Sequence, residues 1–153
     1  MTLRVQLQSS QDWSHLEEPL VRAAESALTH EEVQAGSLTL VLTDGDAIQE
    51  FNRKFAGEDH PTDVLSFPDG SQDPHDQTLY LGDVLVALDV ARLQAEAAGH
   101  TLIDELTILT VHGVLHLLGH DHADPESEQE MWAAQNKILN HLNVRNAEPG
   151  EQA

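Results

Sequence analysis

The stretch LIDELTILTVHGVLHLL, Leu102 to Leu118, is apolar on nearly every helical face. A helix without a polar stripe has no side to turn to water, so it belongs at the centre of a domain with other elements packed around it. Its ends are marked. Thr101 is a ready N-cap, Asp104 and Glu105 fall in the first turn where acidic groups suit the helix dipole, and Gly119 follows the last apolar residue. The rest of the chain has to wrap this segment, and a chain of 153 residues can do so as one domain. No run reaches the roughly 18 apolar residues of a membrane span, so no membrane partner is expected.

The same segment carries histidines at a telling spacing. His112 and His116 stand a turn apart on one helical face, where their imidazoles can converge on one ion. Beyond the break at Gly119 the chain can fold back and bring in His122. The frame H-x-x-x-H-x-x-G-x-x-H is the zinc frame of a large class of metalloproteases. Three neutral imidazoles with an open fourth position describe a catalytic zinc site better than a closed structural one. Imidazoles on an apolar helix also need partners for their ring nitrogens, and a metal supplies one. One Zn2+ per chain is therefore expected, held by His112, His116 and His122. His120 competes for the third place; His122 is preferred because it keeps the spacing of the frame. Asp121 is a candidate for orienting a ligand imidazole from behind. The proteases carry a glutamate directly after the first histidine as general base. Here that position is Gly113, so peptide hydrolysis is not expected.

Elsewhere the pattern alternates between strand and helix. LRVQLQ, Leu3 to Gln8, and SLTLVLT, Ser37 to Thr43, read as strands. Between them Leu16, Leu20, Ala23, Ala24, Ala27 and Leu28 recur at helical spacing, with Ser14 and Glu17 placed for a capping box and Pro19 blurring the start. A strand, a helix and a strand in this order suggest a right-handed parallel crossover. Asp44 or Asp46 caps a short helix whose inner face is Ile48, Phe51 and Phe55. Thr62–Phe67 and Thr78–Leu88 read as further strands, the second weakened at Gly82, with a breaker-rich mobile loop from Pro68 to Gln77 between them. Asp89–Ala98 is helical, with Gly99 as its stop. Asp124 and Pro125 open a last helix that turns Met131, Trp132, Ile138, Leu139 and Leu142 inward. The expected fold is α/β (α+β): one domain over residues 1–145, a four-stranded mixed sheet packed with about five helices, the zinc site on the central buried helix, and a frayed tail over 146–153.

Charge narrows the partners. With 27 acidic residues against seven basic ones, the net charge is −20, and such a surface repels phosphate backbones at long range. This argues against broad nucleic-acid affinity, and DNA is not an expected partner; a local basic cleft remains open. The absence of cysteine removes disulfides and thiolate metal ligands. MTLRVQLQSSQDW at the N-terminus lacks the basic region and apolar core of a signal peptide, so a soluble cytoplasmic protein is expected.

HGVLHLLGHDH, His112 to His122, resembles the signature H-G-x-L-H-L-x-G-[YH]-D-H of the YbeY family of bacterial rRNA maturation factors. NRKFAGEDHPTDVLSFP, Asn52 to Pro68, resembles that family's N-x-x-[FY]-R-x-x-D-x-P-T-D-V-L-S-F-P segment, and LGDVLVALDVA, Leu81 to Ala91, its following strand and helix. The order of elements agrees over roughly residues 1 to 142. The resemblance implies a single-domain fold with zinc on the three motif histidines and metal-dependent endonucleolytic cleavage of single-stranded RNA. It further implies maturation of a 16S rRNA precursor and ribosome quality control in the cytoplasm, with the ribosome or ribosomal proteins as partners. Thr62, Asp63 and Ser66 would line one wall of the cleft.

One position departs from the family pattern. The arginine regarded as catalytic in the family would fall at Ala56. An arginine there would stabilise charge growing on a phosphoryl group, and alanine cannot. Arg53 and Lys54 lie on the same short helix as possible substitutes, but each residue turns a helix by about 100°, so neither points the same way. The leading reading is a zinc-dependent single-strand endoribonuclease. The alternative that Ala56 favours is a zinc-stabilised ribosome-associated factor with little or no nuclease activity. A metal-dependent hydrolase of another small substrate stands third.

Overall fold

The computed structural model describes residues 3–9, 14–56, 63–72, 74, 77–121 and 123–144, with backbone alone for 3–9, 55 and 56. Strand β1 (Leu3–Ser9) leads through a 3-10 turn (Ser14–Leu16) into helix α1 (Glu17–His30), and β2 (Gly36–Thr43) returns parallel to β1. Parallel neighbours need a crossover of this length, and α1 provides it. Helix α2 (Gly45–Phe51) and a π-helical turn (Asn52–Ala56) follow. Next come β3 (Val64–Pro68), β4 (Tyr80–Ala87), α3 (Leu88–Ala98), α4 (Leu102–Leu117) and α5 (Pro125–His141). The strands form one mixed sheet in the order β1-β2-β4-β3, in which β4 runs parallel to β2 and antiparallel to the edge strand β3.

Alternation along the strands divides the apolar residues between two faces. Leu38, Leu40 and Leu42 of β2 and Val84 and Val86 of β4 join the main core with α1, α4 and α5. Leu85 and Ala87 turn the other way and meet Ile48 of α2. Helix α4 is buried along most of its length, as an apolar-all-round segment requires. Thr101 caps it by accepting from Asp104 N at 3.1 Å, Asp44 caps α2 by accepting from Ala47 N at 2.8 Å, and Asp124 caps α5 by accepting from Ser127 N at 2.8 Å.

Several expectations need correction. The capping box at Ser14 does not form: the 3-10 turn moves the start of α1, whose N-cap is Leu16 with no side-chain bond. Pro19 then falls in the first turn, where a missing N–H costs nothing. Phe51 is 42% exposed rather than inward-facing, and the side chain of Phe55 lies outside the described residues. At Gly82 the ladder to β3 continues, with Gly82 opposite Pro68, while the register to β2 shifts just before it, so the expected weakening shows on the β2 side alone. The described part of the 68–77 segment prolongs the β3–β4 ladder, through Asp69 N to Leu81 O, Gly70 N to Tyr80 O and a bridge between Gln72 and Leu79. The expected tail, 146–153, lies outside the described residues.

Candidate metal centre

Helix α4 carries His112 and His116 one turn apart, both partly buried, with ring centroids 4.8 Å apart and ring planes at 68°. The rings meet edge to face and are not stacked. His112 Nδ1 lies 2.9 Å from Oε1 of Gln135, a residue of α5 that is 1% exposed. An amide oxygen can only accept, so the contact puts the proton on Nδ1, the tautomer in which Nε2 carries the lone pair that a metal ligand needs. Metal-binding histidines are commonly fixed in this way, by an acceptor behind the ring.

The residue after His112 faces the sheet. A Cβ built on Gly113 would lie 2.5 Å from Val84 Cγ1 and 2.9 Å from Val64 Cγ2. The place where the metalloproteases keep their glutamate is therefore filled here by two valines of β3 and β4. Ser66 of β3 closes the same contact by donating its hydroxyl to Gly113 O at 2.7 Å. Ser66, expected in a cleft wall, thus ties the edge strand to the histidine helix directly beside His112.

Beyond Leu117 the chain reverses. Gly119, at φ 103°, takes the left-handed conformation, and the N–H groups of Gly119 and His120 bond back to the carbonyls of His116 and Leu115, each at 3.0 Å. The ring of His120 is held by Glu31, the C-cap residue of α1, through a short Nε2–Oε1 contact. Asp121 is exposed, and its Oδ1 accepts from Ala123 N at 3.2 Å, a contact within the turn. His122 lies outside the described residues. Among the described residues no three His, Cys, Asp or Glu side chains converge as a metal site. The described pair presents two imidazoles, and their donor chemistry fits a divalent ion that prefers nitrogen ligands.

The remaining expected residues are spread around this helix. Thr62 lies outside the described residues. Asp63 precedes β3, where its carbonyl accepts from Ala87 N at 2.9 Å and its carboxylate from Gln94 Nε2 at 3.2 Å. Arg53 and Lys54 are exposed and both pair with Glu50, Lys54 at 3.7 Å. Ala56 ends the π-helical turn. Gln135 was not anticipated. Its signal was available, since it falls in line with Met131, Ile138 and Leu142 on the inward stripe of α5, where a polar residue needs a partner.

Fold and helix together define a single-domain α+β protein that presents a histidine pair from its central helix. Residues 4–143 match the family model described as Endoribonuclease YbeY, and the chain belongs to that family. A Brevibacillus brevis protein named Endoribonuclease YbeY is 39% identical over 142 residues, covering 85% of this chain and 89% of the relative. One of the same name from Frankia casuarinae is 46% identical over 110 residues, covering 67% of this chain; the match spans about half of that relative, 55%. The solution structure of TM1509 from Thermotoga maritima superposes with a TM-score of 0.61 at 27% identity, over 95% of this chain and 98% of the other. Among the described residues no helix is long and apolar enough to cross a membrane.

Proposed function

We propose that this chain is an endoribonuclease that cuts single-stranded RNA with one zinc ion held by His112, His116 and His122. The observation that carries the proposal is the buried contact between His112 Nδ1 and Gln135 Oε1, which sets the tautomer a ligand needs, in a chain of the YbeY family. A bound zinc would polarise a phosphoryl oxygen and make a water acidic enough to attack near neutral pH. The chain's own residues hold the imidazoles: Gln135 fixes one ring, and the Ser66–Gly113 contact fixes the helix beneath both. With His120 engaged by Glu31, His122 is the better third ligand. The family's name supports an RNA substrate, and we assign the work to maturation of a 16S rRNA precursor and ribosome quality control in the cytoplasm, alongside ribosomal proteins.

Cleavage of a labelled single-stranded RNA by chelator-treated and zinc-reloaded protein tests the activity. Metal content of the His120→Ala and His122→Ala variants tests the ligand set. Zinc retained in the first and lost in the second is the expected result; the reverse would make His120 the third ligand. A second reading rests on Ala56, which withholds the cation that the family pattern places there. On that reading the chain is a zinc-stabilised factor associated with the ribosome, and zinc-loaded protein leaves RNA intact.

A further inference from the structure

Helices α1 and α5 flank an open groove of about 610 Å³, within the size range of ligand sites. Arg22 and His30 of α1 and Lys137 and His141 of α5 line it, with Glu25 and, on its floor, Ile138. This is an unusual gathering in a chain with seven lysines and arginines against 27 acidic residues. Among the described residues, Arg53 and Lys54 pair with Glu50, whereas Arg22 and Lys137 have no carboxylate partner. Compensation of helix dipoles accounts for His30 and His141, which occupy the last turns of α1 and α5. It does not account for Arg22 or Lys137, which stand before those turns.

The two helices that line the groove also supply residues that contact the histidines of the α4 segment. His30 precedes Glu31, which holds His120 in the reversal after α4. Ile138 lies one turn from Gln135, the partner of His112, a rise of about 4.5 Å along the helix. A strand lying in the groove meets a patch where the repulsion of a −20 surface is locally relieved, on the same two helices that hold His112 and His120.

We propose that the groove between α1 and α5 is a second RNA-binding site, in which Arg22 and Lys137 hold phosphodiesters of the single strand whose cleavage takes place at His112 and His116. The inference rests on the endoribonuclease reading and adds a docking surface outside the metal centre. It makes the length of the substrate matter: a strand long enough to reach the groove gains contacts that a tetranucleotide lacks.

The test uses zinc-loaded full-length protein and a labelled single strand of about 20 deoxynucleotides, which presents the same kind of phosphates and resists an endoribonuclease. Binding is measured across a salt series for wild type, for the exposed double variant Arg22→Gln/Lys137→Gln, and for Arg22→Lys/Lys137→Arg. Each lost phosphate contact flattens the slope of log K against log salt by about 0.7 for a single strand, so neutralisation should flatten it by about 1.4. The charge-retaining pair should keep the wild-type slope. In RNA cleavage, neutralisation should raise KM for a 20-nucleotide RNA while leaving kcat, and cleavage of a tetranucleotide, unchanged. A wild-type slope and KM in the neutralised protein would overturn the proposal while leaving the nuclease reading intact, and would turn the groove toward a carboxylate-bearing protein partner. Absence of RNA cleavage by wild type would overturn the nuclease reading and this proposal with it.

Discussion

Gln135 Oε1 stands 2.9 Å from His112 Nδ1, so a buried amide on one helix decides which nitrogen of an imidazole on another can bind a metal. Replacing it with leucine leaves the Nδ1–H without an acceptor in a dry site and frees the ring to turn. Loss of such an outer partner typically costs about 10- to 100-fold in metal affinity. Zinc affinity of Gln135→Leu, measured by competition with a chelator, should fall within that range, and Gln135→Glu should recover most of it because a carboxylate accepts the same proton. Equal affinity in the leucine variant would show that the amide does not orient the ligand.

Gly113 gives a prediction about packing. In an exposed helix, alanine stabilises relative to glycine by about 1 kcal/mol. Here its Cβ would come within 2.5 Å of Val84 Cγ1, and valine has little rotamer freedom with which to retreat. Overpacking typically costs about 1–3 kcal/mol, so Gly113→Ala should lower the midpoint of urea denaturation in spite of the better propensity. Val84→Ala removes the nearest methyl group, and the double variant should be more stable than the sum of the two single effects. Gly113→Glu, which restores the protease glutamate, should destabilise further without producing proteolysis.

Parts of this architecture were legible because they follow from one residue and its near neighbours. Alternation in Leu3–Gln8 and Ser37–Thr43 placed two strands, the caps at Thr101, Asp44 and Asp124 placed three helix starts, and the apolar run of α4 placed the centre. What failed depends on distant contacts. Ser14 has the residue pattern of a cap, but a 3-10 turn displaces it. Phe51 has the period of an inner face, but α2 is short and lies over a small cluster of Ile48, Leu85 and Ala87 that leaves the phenyl half in water. Ser66 and Gln135 are ordinary polar residues in their own segments; their partners, Gly113 and His112, lie 47 and 23 residues away. The third histidine and the Thr62 end of the expected cleft wall fall outside the described residues.

Tyr80 is the sole tyrosine of the chain, so its titration can be followed without interference. Its hydroxyl donates to Asp83 and lies 2.7 Å from Thr39 Oγ1 on the sheet face opposite α4. Burial raises its pKa above the ordinary value near 10.0, and the bond to the Asp83 carboxylate raises it further. The folded state thus holds the phenol proton more tightly than the unfolded chain does. That contribution to stability is fully present below the ordinary value and is lost as pH rises through the raised one. The tyrosinate absorbance of folded protein should appear above the ordinary pKa, and Asp83→Asn should shift it back down. A wild-type midpoint at or below the ordinary value would mean that the Tyr80–Asp83 contact is not formed in solution.

Ala56 decides between the two functional readings. If catalysis needs a cation beside the metal, wild type should be a slow nuclease, because Arg53 and Lys54 are both drawn to Glu50 on the outer surface of their helix. Ala56→Arg should then raise cleavage of single-stranded RNA while zinc content stays the same. One preorganised charge-stabilising group is typically worth about 10²- to 10³-fold in rate, a gain large enough to measure in a gel assay. Arg53→Ala and Lys54→Ala belong in the same series, because either side chain can supply the charge if it releases Glu50 when RNA binds. Fast cleavage by wild type that Arg53→Ala abolishes would show that compensation has already occurred within the turn. If zinc-loaded wild type and Ala56→Arg both leave RNA intact, the nuclease reading fails. The use of this fold would then lie in binding: a zinc-held helix that keeps the α1–α5 face in shape for a ribosomal partner.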